Sequence, residues 1–212
     1  MKISYLLTLI VFIIVSCADH SRVEINEDLK TYKNETFGLY FTNHFPNQME
    51  TKLGSLLRVT DEDKNDIGLY LVELNASTEI IKEALNNIGN NYIIKYNIEK
   101  DSCLLIVNMF ETPETKSEYK NVTITDSNLI NKDCLKEKYP IPNFIDYQEY
   151  TGEDFWDENF DIYVIDAKSG KFSEKYNLKP NPQMPNKWKN GFSRGIAVNR
   201  EKRIIVYWTV IW

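Results

Sequence analysis

The stretch Asp146 to Asp161, DYQEYTGEDFWDENFD, sets Asp146, Glu149, Glu153, Asp154, Asp157, Glu158 and Asp161 among Tyr147, Tyr150, Phe155, Trp156 and Phe160. Three chemistries use that pairing. Aromatic faces stack on sugar rings while carboxylates accept from their hydroxyls; two opposed carboxylates cleave a glycosidic bond; and an acidic surface with aromatic anchors receives a basic protein. The candidate contact residues are Glu153, Asp154, Trp156 and Asp157, joined by Trp188 between Lys187 and Lys189 in a proline-rich loop. The competing reading needs no ligand: the acids are solvated and the rings are tucked into the core. A glycosidase requires two carboxylates facing each other about 5–9 Å apart. A binder requires Trp156 or Trp188 exposed on a rigid surface.

Other patterns fail on their context, and no catalytic residue is assigned. Gly191-Phe192-Ser193-Arg194-Gly195 matches the GxSxG elbow, which demands a strand-to-helix turn and a histidine later in the chain. A proline-rich loop precedes it, a strand follows, and His44 is the last histidine; the glycines are expected to serve a loop-to-strand turn. Ser117 to Lys120 (SxxK) and Lys168-Ser169-Gly170 fall in predicted loops. Asp61, Asp63 and Asn65 begin like a calcium loop, but Asp66 replaces its glycine and Val72 its terminal glutamate. Two histidines and widely spaced cysteines give no zinc set, so neither metal nor cofactor is expected.

The elements that must position these residues read as an α+β fold in one domain, a mostly antiparallel twisted sheet with one or two helices. Phe37, Leu39 and Phe41 alternate as a strand does; Gln48 to Val59 suggests a short helix through Met49, Leu53, Leu56 and Leu57. Ile67 to Leu74 is apolar on both faces, as an inner strand is. The best helix covers about 77–88, with Ser77 as cap, Ile80, Ile81, Ala84, Leu85 and Ile88 at helical spacing, and Gly89 as stop. Tyr92 to Ile98 and Cys103 to Phe110 suggest two strands around a turn at 99–102. Glu111 to Tyr150 is a long polar insertion, functional or mobile. Phe160 to Ile165 is a strand, and the apolar run 203–212 a central one whose truncation should destroy the fold. Because it does not alternate apolar with polar residues, this run is not a barrel strand. No 20-to-50-residue repeat is visible.

With 42% hydrophobic and 13% aromatic residues and a mean hydropathy of −0.42, the chain is far from the disordered regime. The net charge of −6 argues against nucleic acid as a partner. The first residues carry an address. Lys2 precedes an apolar run, Ile3 to Val15, too short to span a bilayer comfortably and typical of a signal peptide. Ile14-Val15-Ser16-Cys17 resembles the lipobox of bacterial lipoproteins. That resemblance implies cleavage before Cys17, acylation of Cys17 (diacylglycerol on sulfur, palmitate-type acyl on the new amino terminus) and a stable lipid anchor. Residues 1–16 would then be removed, 17–34 would be the lipidated cysteine and a flexible tether, and 35–212 the globular domain. The mature chain loses Lys2 and no acid, and becomes one charge more acidic. Asp19 stands one place beyond the position of the family's inner-membrane retention signal, which points to the outer membrane. With Cys17 spent on lipid, Cys103 and Cys134 remain as a pair in an oxidising compartment, expected to bridge rather than stay a buried residue and a free thiol. The expectation for function is a lipid-anchored envelope lipoprotein acting as a non-catalytic binding module for a glycan or a cationic protein; the alternative is a small carboxylate-dependent hydrolase of envelope or extracellular glycan.

Overall fold

The computed structural model describes residues 23–24, 30–31, 33–49, 55–58, 65–118, 122–124, 126–172, 174–175 and 177–212. Cys17 and its signal lie outside them, as do Asp61, Asp63 and Lys120. Eight strands are described: β1 (Val23–Glu24), β2 (Gln48–Met49), β3 (Ser55–Arg58), β4 (Ile67–Glu73), β5 (Ile94–Asn97), β6 (Asp161–Ser169), β7 (Gly191–Asn199) and β8 (Ile204–Ile211). β1 pairs with β2; the others form an antiparallel sheet in the order β3-β4-β8-β7-β6-β5. The chain enters through β3 and β4, crosses over by a helix to β5 at the far edge, and returns through the β6-β7-β8 meander to close against β4. The closing strand is therefore central, with Tyr70 opposite Trp208 on one side and Gly195 opposite Trp208 on the other.

Both faces of the sheet are buried, which is why β4 and β8 are apolar nearly throughout; β7 is buried along its length as well but carries Ser193, Arg194 and Asn199. One face carries Ile67, Leu69, Leu71, Ile196, Ile205 and Tyr207 and is covered by Phe37, Phe45, Met49 and the helix. The other carries Val206, Trp208, Val210 and Trp212 and is covered by loops that contribute Leu105, Ile141, Phe144, Phe155, Phe160 and Trp188. The described α-helices are α1 (Leu39–Thr42), α2 (Thr78–Ile88), α3 (Pro113–Ser117) and α4 (Ile145–Thr151). α2 follows its expected bounds: Ser77 Oγ accepts from Ile80 N at 3.2 Å, and Gly89, at φ +50°, ends it.

Four local expectations are overturned. The segment around Phe37 is a turn of π-helix (Lys33–Phe37) followed by α1, because Phe37 and Phe41, four apart, meet the sheet from a helical path; Leu39 is left 72% exposed. Where a helix was expected from Gln48, β2 pairs with β1, and β3 forms along β4, which needs a partner for its outer row of backbone groups. Cys103 to Phe110 does not enter the sheet. Only Ile106 bridges, to Ile141, and the segment lies across the loop-side face, burying Leu105 and Val107. Finally, the GxSxG glycines sit inside β7, not in a turn. A Cβ on Gly195 would come 2.1 Å from the Tyr163 carbonyl and 2.6 Å from the Trp208 ring, and one on Gly191 2.9 Å from Trp212. The two glycines are seats for two tryptophans. Between them Ser193 is fully buried and donates to the Pro140 carbonyl at 2.6 Å, so it is no exposed nucleophile.

Candidate functional site

The acidic stretch folds as α4, a 3-10 turn (Phe155–Asp157) and the entry to β6. Its rings turn inward: Phe155 stacks between Phe144 at 3.8 Å and Phe160 at 4.2 Å, and Tyr147 meets both Phe155 and Phe160 edge-on. Its acids turn to cations of the same chain. Lys116 joins Asp146 and Glu149; Lys95 and Arg200 hold Asp161 at 3.0 and 2.5 Å; Lys202 donates to Glu153 at 2.5 Å and Glu158 at 2.9 Å.

Of the predicted contact residues, Asp154 is spent on its own turn, accepting from Trp156 N at 3.0 Å. Trp156 is half-buried against Phe144 and Phe155, and its Nε1 donates to the Asn143 carbonyl. Glu153 and Asp157 are exposed. Trp188 is only 3% exposed: it packs against Trp212 and Tyr139, and is no projecting anchor. The flanking lysines suggested a surface residue, but a 3-10 turn at Asn186–Trp188 points the ring inward. Cys103 and Cys134 are bonded, with Cα atoms 6.2 Å apart, tying the covering loops together.

One pair within the stretch has the electrostatics of an acid and a base. Burial, then the neighbouring Glu153, raises the Glu158 pKa; the hydrogen bond with Glu158, then Lys202, lowers that of Glu153. Opposed shifts of this kind divide catalytic labour in hydrolases. Here, however, the Glu158 carboxylate is 3% exposed and engaged by Tyr147, Asn199 and Lys202. Both carboxylates share one ammonium, leaving no cleft for a sugar between them. The arrangement is a clasp fastening this stretch to the β7–β8 turn.

A groove lies on the opposite face of the sheet. With a volume of about 930 Å³, it runs between α2 and the segment 43–48, lined by Asn43, His44, Phe45, Asn47, Gln48 and, from α2, Glu83 and Asn87, with Tyr207 of β8 and Lys30 completing it. Phe45 and Tyr207, both buried, make an aromatic floor with centroids 6.1 Å apart; Asn43, Asn47, Gln48 and Asn87 are exposed amides. His44 bonds through Nε2 to the Trp208 carbonyl at 2.9 Å, and burial pushes its pKa down to about 3, so the ring is neutral and donates. Arg194 donates to the Tyr40 carbonyl at 2.6 Å and to Asn43 Oδ1 at 2.5 Å, fixing one wall to the sheet.

No protein-family profile, curated protein or solved structure matches this chain. Among the described residues no group of three or more His, Cys, Asp or Glu is placed to hold a metal ion, and no helix is long and apolar enough to cross a membrane. Sequence reasoning passed over the groove because its walls, 43–48 and 83–88, are distant in sequence. The density of amides in Asn43-His44-Phe45-Pro46-Asn47-Gln48 was the available signal, and it reads equally as a chain break.

Proposed function

We propose that this chain is a lipid-anchored protein of the bacterial envelope, non-catalytic, whose domain captures a polyhydroxylated ligand, a glycan, in the groove between α2 and residues 43–48. The observation that carries this reading is the groove's lining. Exposed primary amides offer donors and acceptors on the same side chain, suited to hydroxyls, and an aromatic floor lies behind them. The cationic-protein reading loses support, since the acids that would meet a basic partner are mostly paired within the chain. The hydrolase reading keeps the opposed shifts of Glu153 and Glu158 in its favour, against the burial of Glu158.

The ligand test is an array of envelope and extracellular glycans probed with the Cys17→Ala chain, followed by calorimetry. Replacing Asn47 and Asn87 together by Ala should weaken binding about tenfold, the loss expected for removing a hydrogen bond from each of two neutral amides, with an unchanged Tm. Absence of glycan binding, or binding indifferent to both amides, refutes the reading. The anchor is tested separately: labelled palmitate should enter the unaltered protein in cells and not the Cys17→Ala variant, and equal labelling would overturn it.

A further inference from the structure

A second, smaller pocket of about 220 Å³ opens in the loop layer on the other side of the sheet. Ile130, Leu135 and Trp188 give it apolar walls, and Lys132, Lys136 and Lys187 line it as well. We propose that this pocket binds a small apolar carboxylate, its hydrocarbon part against Trp188 and Leu135 and its anionic head among the three ammonium groups. This site is independent of the groove and of the glycan reading.

Charge complementarity selects the occupant. The chain carries a net charge of −6, yet three of the residues that line this opening are lysines. Lys136 pairs with Asp133 at 2.7 Å, but both side chains are largely in solvent, where such a pair is weak. Lys132 and Lys187 have no acidic partner among the described residues, and Lys187 lies 5.6 Å from the Trp188 ring. Trp188 carries another unmet demand: its Nε1 is buried without an acceptor among the described residues. A neutral hydrocarbon would leave the lysines uncompensated, and a small hydrophilic anion would leave the apolar walls wet; an anion with a hydrocarbon body answers both.

The walls are preformed. The disulfide from Cys103 holds Cys134 between Lys132 and Lys136, and Leu135 is buried in the core cluster. On the other side Trp188 N donates to the Pro185 carbonyl at 2.8 Å, and Trp212 Nε1 to the Trp188 carbonyl at 2.7 Å. Little ordering remains to be done when a ligand enters.

The test is lysine acetylation of the full chain in zwitterionic lipid nanodiscs, read residue by residue by mass spectrometry, with decanoate as probe. At about four times its Kd, decanoate should slow modification of Lys132, Lys136 and Lys187 about fivefold by mass action and leave Lys82 on α2 unchanged. Decanol and acetate should protect none of them. In parallel, decanoate should raise the Tm of the protein but not of a K132Q/K136Q/K187Q variant, whose exposed positions leave the fold intact. Uniform or absent protection, equal protection by decanol or acetate, or an equal Tm rise in the variant overturns the proposal.

Discussion

At single positions the sheet tolerates little, because its two faces share the same backbone. Gly195→Ala would drive a methyl into the Tyr163 carbonyl and the Trp208 ring at once, so a loss of ~3 kcal/mol or more is expected in urea unfolding, at the upper end for overpacking. A variant as stable as the parent would show that the strand pair can open there. Lys202→Met tests the clasp. Because burial raises the folded-state pKa of Glu158 above its ordinary 4.5, the stability this group contributes is full below that value and is lost as pH rises through the folded-state pKa. Removing the ammonium raises that pKa further. The variant should therefore melt several degrees lower than the parent at pH 7 and nearly with it at pH 4; a pH-independent difference would mean that Glu158 is not the group left unpaired. His44 has the opposite sign. Unfolded, it takes up a proton near 6.5; folded, only near 3, so its contribution is present above 6.5 and is lost as pH falls toward 3. Between pH 7 and pH 4 the parent should lose Tm relative to His44→Gln, in parallel melts of the two proteins.

Among the elements, α2 forms the groove's rigid wall and depends on a cap. Ser77→Ala removes the acceptor for Ile80 N and should cost about 1 kcal/mol in chemical denaturation; no change would mean that core packing alone sets the helix start. This wall was legible in the sequence for the same reason that it is stable: Ile80, Ile81, Ala84 and Ile88 bury one stripe at helical spacing, with a cap before and a glycine after. β8 was equally legible, its even and odd residues dividing between the two cores as the alternation requires. Elements whose conformation is decided by distant partners were not. Leu56 and Leu57 fit a helix period until β4 claims them, and Leu105 and Val107 alternate like a strand but cover a sheet instead of joining one. The acidic stretch misled for a related reason. Its carboxylates look unpartnered until Lys116, Lys202 and Arg200 arrive from other parts of the chain. The groove, made from two segments separated by β3 and β4, had no local signature beyond a cluster of amides.

For the whole molecule the question is whether the two covering layers unfold together. All four tryptophans belong to the loop-side core: Trp188, Trp208 and Trp212 within it and Trp156 packed against it. Indole fluorescence therefore reports that layer, while far-UV circular dichroism is dominated by the sheet and α2. The loop layer is held covalently by the disulfide and by a buried network in which Asn181 donates to Asn108, Asn108 to Asp66, and Asn143 to the Asn108 carbonyl. Trp208 and Trp212 nevertheless ride on β8 and its end, and β8 also supplies Ile205, Tyr207 and Ile211 to the other core. Losing the loop layer would expose one face of the central strand, so the layers should melt as one unit, and the two signals should give coincident urea transitions. Replacing both Cys103 and Cys134 by Ser frees a closed loop of 31 residues. That should shift both transitions together, by about 3.5 kcal/mol in the chain-entropy account. A fluorescence midpoint that moves while the dichroism midpoint stays would show instead that the loop layer is a separable cover, and that β8 does not couple the two cores.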